Sequence, residues 1–516
     1  MAIPVLSPSQ SRDWDRAAEA AGIPLATLME SAGRALASVI TRRFPDRLKD
    51  GVLIAAGPGN NGGDGWVLGR ALHRAGIRTW VAASPGEGSD LQRHMVTLAT
   101  AAGVRTVQPD GPWPNPGLAV DALLGTGARG APRPPVAALV ERLADLRIPI
   151  VAIDGPTGLD LETGVTFLPT RADLSVTFGG VRRGHLLARD DAGAVLVVDI
   201  GHPPADPAWP SLLTDQDAAE ELPRLRAGFH KGDRGRVVVI GGYPGMSGAV
   251  RIAARAAFGA GAGLVHVIAP QDTISALVTA EPDLQTLAHD LALPLSSSFE
   301  SLIARADVTI IGPGLGRASH GGDFVRAVLE KSRAAVIDAD ALFVLQGDVD
   351  RLKHLAQDRR VVLTPHHGEF RTLFPDDAQV QESDPWTSAE GAARRSGCTV
   401  LLKGVPTVIA RSGAASTTVA AGNPGLATGG SGDLLSGLIG TFLAAGLEPE
   451  LAAALGAQSL GRAADLAARR TSARSVRPMD VIAALPDLWR TWEVQRIAPV
   501  PHRHPVILEL ELPQLY

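Results

Sequence analysis

Asp433 ends a run of small residues, Thr-Gly-Gly-Ser-Gly-Asp, and opens an apolar one, Leu-Leu-Ser-Gly-Leu-Ile. That order predicts a glycine turn feeding a helix. The first N–H groups of a helix lack intrahelical partners and point outward, where they bind an anion. The same field keeps a neighbouring aspartate ionised, fit to act as a base toward a hydroxyl. Phosphoryl transfer needs both parts, a cradle for charge and a group that orients the attacking oxygen. An isolated Gly-Asp reads more often as a helix cap, so the stretch 423–437 has to be judged with its company.

A second glycine-rich segment, GPGNNGGDG at 57–65, follows the buried-strand pattern of 52–56. A helix is expected from Trp66 to Ala75. Strand, glycine turn and helix in that order place a pyrophosphate on a helix N-terminus. Strand-like runs at 118–123 and 149–153 lead into two more polar loops, DALLGTGARG and DGPTG. Ligand groups gather at the carboxyl ends of strands in doubly wound sheets. Asn61, Asp121, Asp154 and Thr157 are therefore expected to converge. Oxygen donors without cysteine or histidine suit a hard cation rather than zinc. Both aspartates are equally able to cap the turns that follow them.

These residues need elements to hold them. At 516 residues the chain exceeds one typical domain. An apolar content of 45% supports sizeable cores, and a net charge of −5 with scattered Lys and Arg gives no nucleic-acid footprint. The one cysteine, Cys398, excludes an intrachain disulfide and is expected to be a buried thiol. No signal peptide is evident, and no run approaches the roughly 18 apolar residues of a membrane span. A cytoplasmic protein without membrane contact is expected. Residues 13–40 read as two helices broken near 22–24. After a stretch rich in proline and acid at 202–225, strand-like runs recur at 236–240, 306–311, 334–337, 360–363 and 399–402. Repeated β–α alternation predicts an α/β protein of two doubly wound domains. The expected divisions are 1–222, linker included, 223–490, and a tail of unassigned role at 491–516, of which 506–512 reads as an exposed strand.

GPGNNGGDG, DALLGTG, AIDGPTG, ADLSVTF and VDIG together resemble the NAD(P)H-hydrate epimerase family, from residue 8 to 202, which implies a Rossmann-like domain. By that resemblance Asn60, Asn61, Gly62, Gly63 and Asp64 cradle the dinucleotide. So do Gly125, Thr126, Gly127, Ala128, Arg129, Gly130 and Ala131. Asn61, Asp121 and Thr157 would hold potassium, and Asp154 would be the acid–base residue. Thr157 stands where serine is usual and keeps the hydroxyl; Ser31 stands where asparagine is usual.

The second half, 229–485, resembles the NAD(P)H-hydrate dehydratases, which are ribokinase-like. HKGDRG, GPGLG, TPHHGE, LKG and NPGLATGGSGD occur in that order. The resemblance assigns Lys403, Gly404, Val405, Pro406, Thr407 and Gly432 to the adenylate, and Asp433 to the hydrate hydroxyl. Ala249, Gly314, Gly316 and His366 would line the hydrate pocket; His367 stands where proline is usual. Lys231 reads as a solvated or structural lysine.

The implied function is repair of NADHX and NADPHX, the hydrated nicotinamide cofactors. One domain exchanges the R and S epimers. The other dehydrates the S form with ADP as co-substrate and magnesium on the phosphates, giving AMP and phosphate. A homo-oligomer is expected. Two competing readings are a ribokinase-class kinase with a regulatory first half, and a first half that is only a scaffold. Phosphorylated product would mark the kinase. Retention of Asn61, Asp121, Asp154 and Thr157 argues against the scaffold.

Overall fold

Five consecutive apolar residues, Val52–Ala56, are all buried, so this strand is covered on both faces. Leu118–Ala122, which includes Asp121, pairs with it and is likewise wholly buried, as is Ile150–Ile153 on the far side of that strand. The computed structural model describes residues 3–168, 171–317, 321–380 and 383–497, with 507–512 for the backbone alone. Two compact units result, dividing between Trp209 and Pro210. Among the described residues no helix is long and apolar enough to cross a membrane.

The first unit is built on a sheet ordered Ile507–Leu512, Ala194–Val198, Leu174–Phe178, Ile150–Ile153, Leu118–Ala122, Val52–Ala56, Thr79–Ala83, Arg105–Val107. All pairs are parallel except the first, where the C-terminal strand runs antiparallel to Ala194–Val198 at the sheet edge. From Val52–Ala56 the chain winds outward to one side, then returns to Leu118–Ala122 on the other. The order therefore reverses between these two strands, and a crevice opens beyond their carboxyl ends.

The helix expected from Trp66 begins instead at Asn60 and runs to Arg74. Glycines inside a helix are costly unless packing requires them. Here it does. A Cβ on Gly62 would strike the Gly57 carbonyl, and one on Gly65 would lie 2.7 Å from the Ala122 methyl. The glycines let the first turns press onto the two central strands. Helices Pro8–Ala20 and Leu25–Arg43 match the expected pair, and Ser31 lies within the second.

The second unit's sheet is ordered Gln285–Ala288, Leu264–Ala269, Arg236–Ile240, Val308–Ile311, Ala334–Ile337, Arg360–Leu363, Thr399–Leu402, all parallel. Two antiparallel strands, Thr407–Ala410 and Thr417–Val419, extend it. Residues 210–222, read from sequence as linker, fall within this unit. Ser211–Leu212 pairs with Thr417–Val419, and the Asp215 carboxylate accepts from Gln458 (2.7 Å) and Arg462 (2.9 Å). Small residues bring the helices together: a Cβ on Gly437, in helix Ser431–Ala444, would lie 2.7 Å from the Ala256 methyl of helix Ser247–Ala260.

Helix Pro478–Ile497 carries Trp492, set apart with the tail in sequence, into this core with 1% exposure. Its ring packs 5.6 Å from that of Trp489. Trp492→Ala is expected to cost about 3–5 kcal/mol. Denaturant unfolding of the second unit should show it as an earlier transition. An unchanged midpoint would contradict the packing role.

Candidate active sites

A cavity of about 550 Å³ opens at the crevice of the first sheet. Asn60, Asn61, Asp64, Gly125, Thr126, Gly127, Ala128 and Asp154 line it, together with Arg182, Met29 and Phe178. Of the cradle read from sequence, Gly62 and Gly63 are packed inside, the latter against Met29, with Cβ-to-Sδ space of only 2.7 Å. Arg129 is turned to Glu162 at 2.7 Å, and Gly130 and Ala131 are exposed outside the lining.

Asp154 follows strand Ile150–Ile153 with a φ of 64°, a left-handed conformation unusual for any residue with a side chain. Such strain persists only where surroundings enforce it. Its Oδ2 accepts from the Thr126 amide (2.7 Å) and the Thr126 hydroxyl, and its Oδ1 from the Thr177 hydroxyl (3.1 Å). The buried guanidinium of Arg182 lies 3.3 Å away. Burial disfavours the charged carboxylate, but Arg182, the Thr126 bonds and His185 outweigh it and hold the pKa below the usual value. His185 is itself kept near 4 by burial, with Arg182 pushing the same way and Asp154 resisting, so the ring is neutral at neutral pH. Its Nδ1 accepts from the Arg182 amide at 3.2 Å.

Asn61, Asp121 and Thr157 do meet, below this cavity. The fully buried Asp121 accepts from the Thr157 amide (2.7 Å) and hydroxyl (2.8 Å). Asn61 Nδ2 donates to the Leu124 carbonyl (3.0 Å), and the Leu124 amide donates to the Thr157 hydroxyl (3.0 Å). A Cβ on Gly125 would lie 3.2 Å from Asn61 Oδ1, so glycine there leaves that oxygen room. One carboxylate, a hydroxyl, an amide oxygen and carbonyls form a donor set that suits a hard cation rather than zinc.

In the second unit, helix Ser431–Ala444 starts behind Gly430, whose φ of 93° makes the turn. Asp433 sits in its first turn, as expected. Burial raises its pKa to about 6, helped by Asp338 and Asp340 and opposed by Lys403. Asp338 and Asp340 flank Ala339, whose φ of 50° is again left-handed. Such a residue costs about 1–3 kcal/mol, which the bonds of its neighbours offset. Asp338, 1% exposed, accepts from Lys403 Nζ (2.9 Å) and Ser436 Oγ (2.7 Å). Burial opposes its charge, but Lys403 and these donors hold its pKa low. Asp340 accepts from the Gly316 amide (3.0 Å) and Arg317 (2.9 Å). It thus ties the loop holding Gly316 to the acidic cluster.

A Cβ on Gly432 would lie 3.4 Å from Lys403 Nζ, so the lysine sits under the helix start. Glu369 is 3.7 Å from the same ammonium. Among 403–407, Val405 is 60% exposed, and Thr407 donates to the Gly404 carbonyl (3.1 Å). Pro406 is buried. A Cβ on Gly314 would come within 3.3 Å of the Ala249 methyl, and one on Gly316 within 3.3 Å of the Tyr243 ring. A further cavity of about 570 Å³, lined by Tyr243, Gly316 and His289, lies there. His366 caps helix His367–Leu373: its Nδ1 accepts from the Gly368 amide at 2.9 Å, and its Nε2 lies 3.4 Å from a Glu369 carboxylate oxygen. His367 touches Gly404, where a Cβ would lie 2.8 Å from its Nε2.

The sequence reading missed Arg182, Thr177 and His185 at the first site and the Asp338–Lys403 pair at the second. Arg182 had one signal, a basic residue just past the Gly179–Gly180 turn that ends an apolar strand. Asp338 and Lys403 lie 65 residues apart, and only the sheet brings them together. Cys398 is buried and its thiol is pushed up to about 12, an inert structural group.

Two family models match the chain. One, described as NAD(P)H-hydrate dehydratase, covers residues 237–487; the other, YjeF-related protein N-terminus, covers 25–184. The bifunctional NAD(P)H-hydrate repair enzyme of Escherichia coli (strain K12) is 36% identical over 487 residues, spanning 91% of this chain and 90% of that protein. Its counterpart from Moorella thermoacetica is 36% identical over 497 residues, with 91% and 93% covered. A solved ribokinase-like superfamily protein from Enterococcus faecalis covers 55% of the chain and 95% of its own at 26% identity, with a TM-score of 0.47. Likeness that runs through both units and nearly the whole length of the relatives settles the lineage: this chain belongs to the family of bifunctional NAD(P)H-hydrate repair enzymes.

Proposed function

We propose that the first unit exchanges the R and S hydrates at Asp154 and that the second dehydrates the S hydrate at Asp433 with ADP. The observation carrying the second half is a single one: a carboxyl with a pKa raised to about 6 in the first turn of a glycine-entered helix. Such a group is ionised near neutrality yet still basic enough to accept a hydroxyl proton.

Hydroxide is a poor leaving group and phosphate a good one. Asp433 takes the hydroxyl proton as the oxygen attacks the terminal phosphorus of ADP, and AMP departs. The ring nitrogen's lone pair then expels phosphate, and loss of the adjacent C–H proton restores the ring double bond. The outward N–H groups of the helix start would face the phosphates. Magnesium, when bound, neutralises phosphate charge. Asp338 is engaged by Lys403 and Ser436 and Asp340 by Arg317 and Gly316, so the phosphates and water would be its main ligands. Lys403, held by Asp338 and Glu369 below Gly432, stiffens the turn beneath the nucleotide. We place the enzyme in the cytoplasm, working as a homo-oligomer on NADHX and NADPHX.

Absorbance recovery of NADH from prepared hydrate, with ADP, ATP or no nucleotide, tests this reading. Recovery with stoichiometric AMP and phosphate is expected. Accumulation of a phosphorylated product without NADH would assign the second unit to a simple kinase.

Asn61, Asp121 and Thr157 would hold potassium and so fix the loop carrying Thr126, which donates to Asp154. Exchange rates in potassium, sodium and lithium are expected to differ, fastest in potassium. Equal rates in all three would remove the ion from the account.

A further inference from the structure

Asp64 is the one acidic side chain of the glycine-rich helix start. Its neighbours Gly62, Gly63 and Gly65 are packed against the Gly57 backbone, Met29 and the Ala122 methyl respectively, whereas Asp64 lines the same cavity as Asp154. Leu25, Leu28, Met29 and Phe178 make much of the surrounding wall. The two carboxyls are held differently. Asp154 has Arg182, Thr126 and Thr177 as donors. Among the described residues, none donates a hydrogen bond to the Asp64 carboxyl or pairs with it.

We propose that Asp64 is the general acid of the epimerisation and works as a pair with Asp154 as the base. The proposal rests on the reading of this cavity as the epimerase site. Two carboxyls in one site whose surroundings drive their protonation apart divide acid and base work between them. Burial, then the charges of Asp154 and Asp15, raises the Asp64 pKa well above the ordinary value. The charged and titratable groups facing it are Asp154 and Arg182 with His185 behind them, Arg12 and Asp15 from helix Pro8–Ala20, and His202. His202 is bonded to Asp15 at 3.0 Å.

The chemistry balances without a co-reactant. Asp154 takes the proton of the hydroxyl on the carbon beside the ring nitrogen. The released O–H electrons form the aldehyde carbonyl, the carbon–nitrogen bond breaks with its pair going to nitrogen, and Asp64 protonates that nitrogen. Rotation about the adjacent carbon–carbon bond turns the other aldehyde face to the nitrogen. Reclosure then runs both proton transfers backwards. Each carboxyl returns to its starting state, which suits a pair kept permanently unlike by its surroundings.

The full-length protein tests this by R-to-S exchange, followed by chromatography across pH. Ionised Asp154 is present above its lowered pKa and protonated Asp64 below its raised one, so wild-type kcat should be bell-shaped. Asp64→Asn should lower kcat by about 10²–10⁴-fold and abolish the alkaline limb, with KM little changed. Asp64→Glu should restore part of the rate and the limb. A wild-type profile lacking the alkaline limb would overturn the proposal even if the variants failed to fold. So would an Asp64→Asn enzyme altered in KM alone, as a mere dinucleotide contact would be. If wild type exchanged no epimers at all, the reading of the cavity itself would fall. If it did, and Asp154→Asn stopped exchange while Asp64→Asn kept kcat, the acid assignment alone would fall.

Discussion

Asp433→Asn is expected to lower ADP-dependent recovery of NADH from the S hydrate by about 10²–10⁴-fold and to leave R-to-S exchange at its wild-type rate. The substitution keeps the shape of the first turn and removes only the base. Its surroundings add a pH signature. Burial, reinforced by Asp338 and Asp340, puts the carboxyl at about 6, so it is protonated and unable to act as a base below that value. Wild-type turnover should therefore rise with pH through about 6, and the residual turnover of the variant should lose that rise. The stability effect runs the other way. A raised pKa means the fold prefers the protonated carboxyl, an advantage lost as pH rises through the folded-state value. At neutral pH the Asn variant should melt no lower than wild type. A variant that is folded, inactive and unweakened is the expected mark of a residue kept for chemistry.

Asp154→Asn is expected to have the reverse outcome. The S fraction of a mixed hydrate should be recovered, and the R fraction should convert only at its spontaneous rate. The expected loss of enzymatic exchange is again about 10²–10⁴-fold. Here the fold should be sensitive. The Asp154 carboxylate binds Thr126, Thr177 and the buried Arg182, and removing its charge leaves that guanidinium without its counter-ion. Breaking a buried pair by removing one partner costs about 3–5 kcal/mol. Stability should thus fall on losing Asp154 and not on losing Asp433. Chromatography of the epimers is required, since absorbance alone does not report exchange.

The contrast shows what the sequence makes legible. Strands such as Val52–Ala56 and Arg236–Ile240 announce themselves as short apolar runs, and each glycine loop behind them marks a carboxyl end. Asp154 and Asp433 were readable because they stand in those loops. The helix start at Asn60 was not, because glycine at 62, 63 and 65 signals a turn locally. Its reason for being helical is the close approach to Gly57 and Ala122 across the sheet. The pairing of Asp338 with Lys403 and of Asp154 with Arg182 was hidden similarly, since the partners come from separate strands. Trp492 lay in a stretch set apart as tail, and only the packing of helix Pro478–Ile497 shows it as core.

The central claim is that two separate carboxylates perform two separable reactions in one chain. Mixing the two single variants tests it most directly. Asp154→Asn alone, given both hydrates and ADP, should consume the S epimer and leave R. Asp433→Asn alone should equilibrate the epimers and recover almost nothing. Combined, they should convert both epimers fully to NADH, because one variant exchanges what the other dehydrates. Persistence of the R epimer in the mixture, with both proteins shown to be folded, would contradict the assignment of two independent sites.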